Sequence, residues 1–139
     1  MNENLVKFKP LIFNGVYTIS HDGQHRTFKV KTQAADARFA ANERIIRLLT
    51  GSDNENDYEG FGFVHPNCII VWNKKRLVDK KWQAYADLLF AMITQGEKSI
   101  YYLKGYRLHI SLTCLVCNRL LSTPESIELG IGPKCAERY

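Results

Sequence analysis

The chain has 139 residues, 45% of them hydrophobic and 12% aromatic, which suits one domain with a sizeable core. No apolar run approaches membrane-spanning length, and the opening Met1-Asn2-Glu3-Asn4 lacks the charged-then-apolar layout of a signal peptide, so a cytoplasmic, intracellular protein is expected. A moderate net charge of +5 and a pI near 9.1 are compatible with an anionic partner without requiring one, and four cysteines in such a chain point to metal or free thiols rather than disulfides.

In chain order, Leu11 to Ser20 alternates as a strand that Asn14-Gly15 can bend. His21-Asp22-Gly23-Gln24 is a hairpin signal, because Asp-Gly tolerates the positive φ of tight turns. On the return strand, His25 to Thr32, Phe28 and Val30 take one face while Thr27, Lys29 and Lys31 take the other. A loop follows, with a helical turn expected around Arg38-Phe39-Ala40-Ala41. Arg44 to Leu49 is a third strand whose Ile45-Ile46 and Leu48-Leu49 pairs imply burial on both faces. The stretch from Thr50 to Gly60 is acidic but lacks calcium-loop spacing, so a connecting loop is expected. Gly60 to Val64 and Cys68 to Trp72 form a second hairpin across His65-Pro66-Asn67, with Gly62 marking close backbone approach or a bulge.

From Val78 to Thr94, Trp82, Tyr85, Ala86, Leu89, Phe90 and Ile93 recur at helical spacing, predicting one long helix with Asp79 or Asn73 near its cap and Gly96 closing it. Lys74, Lys75, Arg76, Lys80 and Lys81 gather at the helix start, where they oppose the helix dipole. Their alternative readings are a solvated turn and an anion-binding patch, with Trp72 and Trp82 as stacking groups. Ile100 to Leu103 and Tyr106 to Thr113 read as strands around Lys104-Gly105.

The C-terminal stretch is the most specific. Cys114-Leu115-Val116-Cys117 places two thiolates on one tight turn, close enough to share a tetrahedral metal ion. Cys135 follows Gly130-Ile131-Gly132-Pro133-Lys134, and Pro133 suits the first position of a helix. A thiolate in that helix's first turn is favoured by the helix dipole. The reading is a treble-clef-like zinc module with Cys114, Cys117 and Cys135 as ligands; three ordinary buried cysteines are the alternative. A fourth ligand three residues after Cys135 is not available, since that position is Arg138. His109, on the strand feeding the knuckle, is the first substitute, ahead of Cys68; water, a carboxylate such as Glu137, or no bound metal are the remaining alternatives.

The residues Cys114, Cys117, Arg119, Leu121, Pro124, Ser126, Ile127, Gly130, Gly132, Pro133 and Cys135 resemble an uncharacterised zinc-finger-like family of phage, plasmid and bacterial proteins, which is also appended to SNF2-type helicases. Asn118 departs from the glycine usual there. A weaker likeness runs through Arg26 to Gln33, Leu49 to Asn54, Gly60 to Phe63, and Val71-Trp72. The resemblance implies a metal module and a mobile-element setting, and no reaction.

Enzyme signatures are missing: there is no Walker-type loop, no Gly-x-Ser-x-Gly elbow, and no His-x-Glu to accompany the cysteines as in zinc deaminases. The expected fold class is therefore α+β. It comprises a mostly antiparallel sheet of five or six strands, one long helix and a C-terminal treble-clef-like zinc module. The expected domain is single over 1–139, with sheet and helix in 1–105 and the finger in 106–139. The expected function is a non-enzymatic accessory protein with structural Zn2+ that contacts nucleic acid through Lys74, Lys75, Arg76, Lys80, Lys81, Arg119, Lys134 and Arg138. A protein-interaction module, such as a phage inhibitor of a host defence or repair complex, is the alternative.

Overall fold

The computed structural model describes residues 12–53 and 56–113. Strands β1 (Gly15–His21), β2 (Gln24–Thr32), β3 (Arg44–Leu49), β4 (Tyr58–His65) and β5 (Cys68–Val71) follow one another. Next come a one-turn helix α1 (Asn73–Arg76), the long helix α2 (Lys81–Gln95), a 3-10 turn (Gly96–Lys98), a short helix α3 (Ile100–Leu103) and strand β6 (Arg107–Leu112). All strands join one six-stranded antiparallel sheet in the order β5-β4-β3-β2-β1-β6. The α+β class, the antiparallel sheet and the long helix agree with the sequence reading.

The hairpin at Asp22-Gly23 forms with both residues at positive φ, 51° and 76°, the twist that a two-residue turn needs. In β4 the register shifts opposite Ile46 and Arg47, so Phe61 is the extra residue of a bulge. Gly62 beside it is obligatory: a Cβ there would sit 2.6 Å from the Ile70 carbonyl oxygen across the strand pair.

β5 and β6 occupy opposite edges of the sheet, about 24 Å apart at normal strand spacing. The connection therefore has to cross the sheet, and α2, with fifteen residues, is about 22 Å long. Its stripe of Trp82, Ala86 and Leu89 lies on Tyr17, Ile19, Phe28, Val30, Ile46, Leu48, Phe61, Val64 and Val71 to make the core. Each large side chain so buried contributes about 1.5–3 kcal/mol. The far end of this core is polar. Asn14 is fully buried, donates to Thr32 Oγ1 at 2.8 Å and accepts from Arg44 Nε at 2.8 Å, while Arg44 Nη2 donates to the Ile12 carbonyl. Burial lowers the Arg44 pKa to about 10, the nearby Tyr17 opposing that shift, and desolvation pushes the Tyr17 hydroxyl well above its ordinary value.

Three local expectations are corrected. Ile100 to Leu103 is helical, not a strand. Ser99, buried, accepts from the Tyr101 N–H at 3.2 Å and so caps that helix; the cap outweighs the strand propensity of Ile and Tyr. No helical turn forms at Arg38 to Ala41; the loop instead takes Ala40 and Asn42 into positive φ, 50° and 65°. The long helix begins at Lys81 rather than Val78, and Asn73 opens a separate turn. Asp79 Oδ1 accepts from the Lys81 N–H at 2.9 Å just outside the long helix. Among the described residues, no helix is long and apolar enough to cross a membrane.

Candidate nucleic-acid interface

The basic residues at the start of α2 do come together, because α1 and the turn after it fold them into one corner beyond β5. They are not equivalent. Lys75 pairs with Glu59 and lies 5.0 Å above the Trp82 ring, and Lys81 sits 3.8 Å from Asp79 and 5.0 Å from the same ring. Both are partly occupied by structure. Lys74, Arg76 and Lys80 have no carboxylate partner among the described residues; Arg76 donates to Asn73 Oδ1 at 2.7 Å, and Lys74 lies 5.2 Å over the Trp72 ring. Leu77 and Val78, between α1 and α2, are 79% and 84% exposed, so the corner mixes charge with bare apolar surface.

Only one of the two tryptophans suits a stacking role. Trp82 is 5% exposed and belongs to the core, against the Phe61 ring at 5.0 Å, which corrects its assignment as a stacking group. Trp72 is half-buried on the other side of the sheet. A Cβ on Gly60 would meet its ring at 3.1 Å, so glycine at that position is what lets the indole lie against the strand.

That other side of the sheet is the one to which the sequence assigns Thr27, Lys29 and Lys31. Strand alternation and register bring Lys29, Lys31, Thr27, Ile45, Arg47, Tyr58, Gly60, Phe63, Ile70, Thr18, Arg107 and His109 onto it. Among the described residues, no Asp or Glu occupies a strand position on this face. Aromatic rings pave the end near β5: Phe39 from the β2–β3 loop stacks on Phe63 (6.2 Å, 21°) and meets Trp72 edge-on (5.4 Å, 89°). Phe63 and Trp72 also meet edge-on, and Lys29 lies 4.4 Å over Tyr58. Arg47 donates through Nη2 to Gln33 Oε1 at 2.7 Å, and Gln33 Nε2 donates to the Phe39 carbonyl at 3.2 Å, which ties the loop to the face. Two buried donors here, Arg47 Nη1 and Trp72 Nε1, have no acceptor among the described residues. Burial also lowers the Arg47 pKa and raises that of Tyr58. The signal in the sequence was the alternation of Lys29 and Lys31 with Phe28 and Val30, but only the register shows which aromatic groups lie beside them.

A concavity of about 180 Å³ opens near the β1–β2 hairpin between His21, His25, Arg26, Tyr85 and Tyr106. His21 lies flat on Tyr106 (4.0 Å, 4°) with Nε2 3.2 Å from the Lys104 carbonyl, so its evident role is to join the hairpin to the segment before β6.

His109 stands exposed on β6, opposite Thr18, on the strand whose sequence continues into Cys114. Cys68 begins β5 at the far edge of the sheet, exposed and as a free thiol. Of the two, His109 is on the strand that leads to the cysteine knuckle. Cys114, Cys117, Cys135, Arg119, Lys134 and Arg138 lie outside the described residues, as does the greater part of the expected subdomain 106–139. Among the described residues, no group of three or more His, Cys, Asp or Glu side chains is arranged to hold a metal ion. The acidic loop uses its carboxylates internally: Asp57 accepts from the Asp53 N–H at 2.9 Å, and Asp53 accepts from the Asn56 N–H and side-chain amide. No curated protein and no solved structure matches the chain. A model of a family of unknown function (DUF6011) matches residues 112–139, a minor share of the chain that holds all three cysteines of the C-terminal motif.

Proposed function

We propose that the chain is a non-enzymatic nucleic-acid-binding accessory protein, of the phage or mobile-element kind that its C-terminal resemblance suggests, with structural zinc in its C-terminal segment. The observation that carries this reading is the corner around α1, where Lys74, Arg76 and Lys80 stand with no carboxylate partner among the described residues, on a chain of net charge +5. Zinc is supported by the spacing of Cys114, Cys117 and Cys135 and by His109 on the preceding strand. Arg119, Lys134 and Arg138 add positive charge to the same segment. Elemental analysis of protein purified without added metal is expected to show one zinc per chain, lost on Cys117→Ser; full thiol reactivity without zinc would exclude the module.

For the nucleic-acid reading, the informative variant is Lys74→Gln, Arg76→Gln and Lys80→Gln together. It spares Lys75, whose partner Glu59 would otherwise be left alone. Its affinity for DNA is expected to fall, and the slope of log affinity against log salt to drop by about one per lost contact. Parent-like binding, or no binding by the parent at low salt, sinks the reading.

A protein-contact module is the second reading, and the exposed Leu77 and Val78 favour it. Salt separates the two: phosphate-driven binding weakens steeply between about 50 and 200 mM, whereas an apolar interface changes little.

A further inference from the structure

We propose that the sheet face opposite α2 binds single-stranded nucleic acid, with a base stacked on Phe39 and the backbone tracked by Lys31, Lys29 and Lys74. This deepens the nucleic-acid reading above and rests on it. Charge complementarity comes first: among the described residues, the strand positions of this face carry Lys29, Lys31, Arg47 and Arg107 and no carboxylate, while Lys74 over Trp72 links the face to the basic corner. At these strand positions a polyanion meets positive charge.

Aromatic placement selects the strandedness. Phe39, Phe63 and Trp72 form one contiguous patch, and Phe39, at 53% exposure, is its outermost ring. Bases inside a duplex have their faces covered by their neighbours and cannot stack on such a ring; unpaired bases can. The loop that presents Phe39 also departs from relaxed geometry, since Ala40, the next residue, has φ 50°, a conformation that alanine rarely adopts. Near that loop, Arg47 Nη1 and Trp72 Nε1 have no hydrogen-bond partner among the described residues. Both groups touch the loop, Arg47 through Gln33 and Trp72 through Phe39. Both nitrogens are out of solvent.

The test uses the full zinc-loaded chain and two probes, an oligo-dT of about 15 nucleotides and a hairpin duplex of equal phosphate count. Binding is followed by anisotropy and by quenching of tryptophan fluorescence. Phe39→Ala is expected to weaken oligo-dT binding roughly 5- to 100-fold, with duplex binding unchanged within about twofold, whereas Phe39→Tyr retains both. Oligo-dT should quench the parent, and Trp72→Phe should abolish that change, because Trp82 is buried in the core. Lys31→Gln, an exposed strand position that does not threaten the fold, should lower the oligo-dT salt slope by about one. If Phe39→Ala and Lys31→Gln bind oligo-dT like the parent while the corner variant does not, the face is overturned and the nucleic-acid reading stands. Equal loss of both probes on Phe39→Ala overturns the single-strand assignment. No binding of either probe by the parent at low salt overturns both readings.

Discussion

The two faces of the sheet are built from the same strands and have opposite chemistry. Beneath α2, Phe28, Val30, Ile46, Leu48 and Phe61 are sealed against Trp82, Ala86 and Leu89. On the other side, the residues next to them in sequence are Lys29, Lys31 and Arg47, with a patch of aromatic rings at the β5 end. A one-residue alternation therefore separates the face that holds the protein together from the open, basic one. Only where aromatic residues cover the second face does β3 become buried on both sides, as Ile45 shows.

The largest expected effect breaks the covered face. Phe61→Ala should lose about 3–5 kcal/mol in urea unfolding, because its ring is fully buried against Phe28 and Trp82. Material that still folds should bind nucleic acid like the parent; reduced affinity in that folded fraction would blur the division between the faces.

Arg44→Ala strikes the polar end of the same core. It strips Asn14 Oδ1 and the Ile12 carbonyl of their donor, and a loss of about 2–3 kcal/mol is expected. A stability within experimental error of the parent would mean that water reaches this site freely.

Alkaline titration gives a smaller effect with a definite sign. The Tyr17 pKa is raised on folding, so its contribution to stability is complete below the ordinary tyrosine value of about 10 and is lost as pH rises through the higher folded value. Absorbance of tyrosinate should show one of the seven tyrosines ionising only when the chain unfolds, and Tyr17→Phe should remove that delayed step. Should all seven ionise before unfolding, the burial of Tyr17 would be contradicted.

The smallest effect sharpens the open face. Lys31→Gln should leave stability within about 0.5 kcal/mol of the parent, since its side chain stands on the exposed surface. A larger loss in thermal unfolding would show that the open face carries structural weight.

Local sequence determined much of this molecule. Asp22-Gly23 dictates a hairpin because its backbone tolerates positive φ, the alternation through β2 separates two faces, and the Trp82-Ala86-Leu89 stripe requires a helix packed on one of them. Such features depend on residues within a turn or two of each other. Tertiary structure decided the rest, because the deciding contacts are distant in sequence. Phe39, Gly60, Phe63 and Trp72 have no shared spacing, and they meet only because β3, β4 and β5 are neighbours and the β2–β3 loop folds back over them. The two tryptophans look alike as stacking groups in the chain; burial assigns Trp82 to the core and leaves Trp72 to the other face. Likewise, Ile100 to Leu103 has the composition of a strand, yet the buried Ser99 caps it as a helix.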